Sequence, residues 1–108
     1  MSRRRTLLMG LALAAVALPV TAQTQSNPNS WLDDRGPQPI NEIYGSSSTD
    51  ADWGQDGLGG NTLPAGQSFM VVLPAGQCMN DVRVIRADSP NQERRQVNTC
   101  NITDLNFP

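Results

Sequence analysis

Cys78 and Cys100 are the only cysteines of the chain, and Asp88-Ser89-Pro90-Asn91 lies midway between them. That tetrapeptide is a strong turn signal: proline pre-sets the turn backbone, and Asp, Ser and Asn side chains bond back to it. An antiparallel hairpin reversing at Ser89-Pro90 carries Cys78 toward Cys100. A bond between them would stabilise a small domain by about 3 kcal/mol in the chain-entropy account. The spacing is not the Cys-x-x-Cys of a redox pair, and two thiolates are too few for a structural metal site. One structural disulfide is therefore expected. Pairing the strands symmetrically about this turn sets Arg83 opposite Arg95, an unfavourable meeting of like charges, so alternation does not settle the register.

A disulfide needs an oxidising compartment, and the N-terminus points to one. Arg3-Arg4-Arg5 precede an apolar run from Leu7 to Val20, broken only by Gly10 and Pro19, and Val20-Thr21-Ala22 follow. A basic start, a short apolar stretch and small residues before a cleavage point make a secretory signal peptide. The run is too short for a membrane anchor, which takes about 20 apolar residues. Cleavage is expected after Ala22. Arg4-Arg5-Thr6-Leu7-Leu8 has the arginine pair of the twin-arginine route, which is favoured here over the Sec route. The expected location is the periplasm or the medium, with no stable membrane anchor after cleavage.

Removing the first 22 of the 108 residues leaves 86, one domain near the small end for a self-sufficient core. Three of the eight basic residues leave with the signal while all ten acidic ones stay, and there is no lysine. A mature chain of five positive against ten negative charges has no basis for nucleic acid or anionic lipid as main partner. Histidine is absent as well. That removes the commonest general base near neutral pH and excludes Ser-His-Asp, Cys-His and His-based zinc chemistry within this chain.

Residues 23–38 are rich in Gln, Asn, Ser, Pro and Asp, with Trp31-Leu32 as an isolated apolar pair, and are expected to be a flexible lead-in. Residues 39–108 are expected to form one small β domain. Pro39 to Tyr44 is a short strand-like segment, and Ser46 to Asn61 a long turn-rich loop anchored by Trp53 with Leu58 nearby. Leu63-Pro64-Ala65-Gly66 and Leu73-Pro74-Ala75-Gly76 are two equivalent turns flanking a strand from Ser68 to Leu73. Cys78 to Ala87, Glu93 to Cys100 and Ile102 to Phe107 complete the strand pattern. No stretch after Ala22 has a helical period. Several short strands at this spacing predict an all-β fold, a small antiparallel β-sandwich or partly open barrel with one disulfide.

The order Ile40-x-x-Ile43-Tyr44, Trp53-Gly54-x-Asp56-x-Leu58-Gly59, Leu63-Pro64-x-Gly66-x-Ser68, Cys78-x-x-Asp81-Val82-Arg83 and Val97-Asn98-x-Cys100 resembles a widespread group of bacterial exported proteins. The group is often labelled only as twin-arginine (Tat) pathway signal sequence domain proteins. The resemblance covers about Gly36 to Phe107. It implies export, the disulfide and a compact β domain, and it carries no established activity or catalytic residues. Gly45 stands after the tyrosine, where an apolar strand residue would fit better, and leaves the end of that strand open.

Three constellations are candidate sites. Asp50, Asp52 and Asp56 bring carboxylates together in one loop, and calcium favours oxygen ligands of this kind. The EF-hand pattern does not fit, with Gly54, Gln55 and Asn61 at its fifth, sixth and twelfth positions. The plainer alternative has Asp56 bonding to backbone amides. Trp53 and Asp56 are a candidate binding surface, although a tryptophan plugging one end of the sandwich, with its N–H on a carbonyl, is the commoner arrangement. Trp31 likewise would dock on its own domain or on a partner. Asp81 and Arg83 share one strand face and suit ion pairs with Glu93 or Arg95; Asp81 with Glu93 is a remote catalytic pair, since so small a chain rarely forms a substrate cleft. The expected function is a non-catalytic binding or structural module acting on an unidentified protein or envelope component, with no cofactor. A calcium-binding module and a small hydrolase inhibitor are the alternatives.

Overall fold

The structure, a computed structural model, describes residues 27–108; the expected signal peptide and its cleavage point lie outside the described residues. Six strands follow one another: β1 (Ser30–Asp34), β2 (Ile40–Ser47), β3 (Ser68–Val71), β4 (Met79–Arg86), β5 (Gln92–Asn98) and β6 (Asp104–Phe107). They form two three-stranded sheets, ordered β3-β1-β6 and β2-β4-β5. The sheets pack together as an all-β sandwich with the Cys78–Cys100 disulfide. Leu32, Ile40, Ile43, Val82, Val84 and Phe107 are fully buried at its centre. On β4 the residues Asn80, Val82, Val84 and Arg86 are buried with a two-residue period, and Asp81 of the opposite face is buried as well. Among the described residues no helix is long and apolar enough to cross a membrane.

The expected flexible lead-in is the main correction. Its residues Ser30 to Asp34 are β1, the central strand of the first sheet, antiparallel to β3 and parallel to β6. The domain therefore begins at least nine residues before Pro39. Leu32 and Asp34 point inward, and a buried aspartate is not an apolar signal. Its burial is made possible by Arg86 of the other sheet, whose Nη1 lies 2.8 Å from Asp34 Oδ1. Arg86 also donates to the carbonyls of Gln38 and Phe107. A charge removed from water must be paired and bonded in this way to persist. The parallel β1–β6 pairing is likewise a departure from the expected antiparallel sheet.

Both repeated turns form as expected. Gln67 N–H donates to Pro64 O at 3.1 Å and Gln77 N–H to Pro74 O at 3.0 Å. Gly66 and Gly76 each have φ of 83°, the third-position conformation of a type II turn that only glycine adopts without strain. The β4–β5 hairpin forms about the predicted turn and closes the disulfide, with Cα atoms 5.1 Å apart. Its register corrects the simple pairing. The ladder shifts between Asn80 and Val82, so Arg83 faces Glu93 and not Arg95. The bulge leaves Arg95 and Gln96 opposite Asp81, with Gln96 at φ 53°. β2 runs on through Gly45 to Ser47. A Cβ at Gly45 would lie 3.2 Å from Val71 Cγ1 on the facing sheet, so glycine allows a close approach of the sheets there.

Candidate functional site

The Asp81 carboxylate organises the bulge. Oδ1 accepts from Gln96 N–H at 2.8 Å and from Ser48 Oγ at 2.8 Å, and Oδ2 from Arg95 Nη1 at 3.1 Å. The backbone amide of Gln96 is the largest influence holding its pKa below the ordinary carboxylate value, with Ser48 and Arg95 adding and burial opposing. Bonds to the charged form act in this direction. Arg95 turns its other nitrogen to Glu93 at 2.9 Å, and Arg83 Nε lies 3.7 Å from the same carboxylate. The expected ion pairs thus exist as one chain of four charges. Both carboxylates are engaged by arginine, and Asp81 is biased toward its ionised state.

Trp53 rests on this chain. The guanidinium carbons of Arg95 and Arg83 lie 4.8 and 5.6 Å from its ring centroid, within cation–π range. The indole is half-buried and stands outside the core. This corrects the expectation of a tryptophan plugging the sandwich: the loop carries it over β4 and β5, where two guanidiniums meet it. Trp31 is 45% exposed, and its backbone is held within β1.

Asp56 is turned inward. Its Oδ1 accepts from Ile43 N–H and Leu58 N–H, each at 2.9 Å, and Gly57 N–H donates to Ile43 O at 2.7 Å. The residue pins the loop to the edge of β2, the plainer of its two expected roles. Asp50 and Asp52 are exposed. The calcium set is not assembled: among the described residues no three carboxylate, histidine or cysteine groups cluster closely enough to hold a metal ion.

Two adjoining clefts flank the loop. One, of about 480 Å³, is lined by Asp50, Asp52, Trp53, Gln55, Val72 and Gln77 among others. The second, of about 320 Å³, runs over Phe69, Met70 and Val72. Gly45, Gln55, Val72 and Leu73 line both. Val72 is 73% exposed, a large apolar side chain standing in water at the junction. Sequence reasoning singled out Trp53 but missed Gly45 and Val72. The only signal was the anomaly of a glycine within a strand, which marks close backbone approach; Val72 read simply as strand interior. Compared with known protein families, curated proteins and solved structures, the chain matches none.

Proposed function

We propose that this protein is an exported, non-catalytic binding module whose recognition surface is the cleft between the Trp53 loop and the end of β3. The observation that carries the reading is the cleft's lining. A half-buried indole, an exposed valine and two carboxylates face one space with no arginine among them. Concave surfaces with an apolar body and a few polar groups are the usual form of a ligand site. The missing histidine and the engagement of Asp81 and Glu93 in ion pairs support binding over catalysis. The disulfide supports an oxidising compartment. The arginine pair at residues 4 and 5 supports delivery through the twin-arginine route to the periplasm or medium, where the partner would be a protein or an envelope component.

A photo-reactive residue placed at Val72 in the native host tests the reading. A defined cross-linked species is expected, diminished by Trp53→Ala in the same chain. Absence of any cross-link above that of an exposed control position such as Thr62 overturns it. A second reading, a hydrolase inhibitor, is favoured by one observation. The glycine-rich loop from Ser46 to Asn61 is held by Asp56 and by the stacked arginines. Slowed turnover in a panel of envelope hydrolases would support it, and unchanged turnover throughout would remove it.

A further inference from the structure

β2 is an edge strand, and an edge strand presents unpaired N–H and C=O groups. Most of this edge is closed by the chain itself. Ile40 exchanges two bonds with Leu63, each 2.9 Å. Ile43 N–H donates to Asp56, Ile43 O accepts from Gly57, and Ser47 O accepts from Asp50 N–H at 2.9 Å. In an antiparallel strand the N–H and C=O of alternate residues face the same side. Ile43 and Ser47 face away from β4, so Gly45, midway between them, does too. Among the described residues its N–H and C=O meet no hydrogen-bond partner on that side. Gly45 lines both clefts, so an unclosed stretch of the edge opens where they meet.

The charges around this point are unbalanced. Asp50 and Asp52 are exposed on the larger cleft and form no ion pair among the described residues. Each of the five arginines among the described residues is engaged elsewhere. Arg83 and Arg95 face Glu93, Arg86 is buried on Asp34, Arg94 lies 4.5 Å over the Phe107 ring, and Arg35 bonds Asn106. A cation for this cleft has to come from outside the domain. The second cleft offers Phe69, Met70 and Val72 instead.

Resting on the reading of the Trp53 cleft as a recognition surface, we propose that its occupant is an extended, basic segment of a partner polypeptide. The segment adds a short strand against the Gly45 N–H and C=O, sets an arginine or lysine beside Asp50, Asp52 and Trp53, and lays an apolar neighbour over Val72 and Phe69. In strand addition, main-chain bonds supply affinity and pockets for alternate side chains supply specificity. Here the two clefts are those pockets.

The mature chain, labelled for NMR, is titrated with two peptides of equal length, one alternating Arg and Val and the other Glu and Val, and with free arginine amide. The Arg-Val peptide is expected to bind at least about tenfold more tightly than the Glu-Val peptide. It should shift the Gly45 amide and protect it from exchange, and weaken as salt rises from about 50 to about 500 mM. Asp50→Asn with Asp52→Asn, and separately Val72→Lys, should each cut affinity about tenfold with an unchanged melting temperature, since all three side chains are exposed. Equal binding of the two peptides overturns the proposal. So does Arg-Val binding that leaves the Gly45 amide unmoved, or free arginine amide binding as tightly as the peptide. A cross-link at Val72 without peptide binding overturns the basic-strand occupant alone and leaves the recognition surface standing. Failure of both removes the two together.

Discussion

Arg86 and Asp81 illustrate two ways in which one charged side chain holds this sandwich. Arg86 joins both sheets through Asp34 and the carbonyls around it, with almost no exposure. Removing one partner of a buried pair leaves an uncompensated charge. Arg86→Ala is therefore expected to lower the unfolding free energy by about 3–5 kcal/mol, read by denaturant titration. Asp81 acts on the local backbone. Its pKa is lowered in the folded protein, so it contributes stability that is present above the unfolded value of about 4 and is lost as pH falls through the folded value. Asp81→Asn should reduce stability at neutral pH and flatten the fall below about pH 4. Denaturant midpoints measured across that range check both statements, and a slope unchanged by the substitution would show that Asp81 is not the group responsible.

Among the elements, the β4–β5 hairpin shows what a sequence makes legible. The turn at Asp88 to Asn91 and the cysteine pair are both local signals, and they agree. Opening the link with Cys78→Ser and Cys100→Ser should cost about 3 kcal/mol, seen as a lower denaturant midpoint. The two Pro-Ala-Gly turns were legible for the same reason, since each glycine answers a positive φ within four residues. The bulge was not. Its cause is a carboxylate reaching an amide on the neighbouring strand, and no pattern within either strand encodes that. β1 was hidden for a related reason: its inward residues include Asp34, whose partner lies 52 positions away. In the candidate site, Trp53 and the acidic loop stood out by residue type. Gly45 and Val72 acquire meaning only once the sheets of β2 and β3 face each other.

At the scale of the molecule, β1 stands between β3 and β6, so the first sheet has no core strand without it. A chain beginning at Pro39 is expected to remain unfolded by near-ultraviolet circular dichroism, whereas one beginning at Asn27 retains the native signal. Equal spectra for the two would refute the central role of β1. The pairing of β1 with β6 also has a kinetic meaning. Arg35 and Asn106, 71 residues apart, hydrogen-bond across that pairing, and contacts so distant in sequence are slow to form. On the ribosome, β1 emerges well before β6 has been translated. Until then Leu32 and Asp34 lack the completed sheet that buries them, so the centre of the first sheet is among the last parts of the domain to be sealed from water.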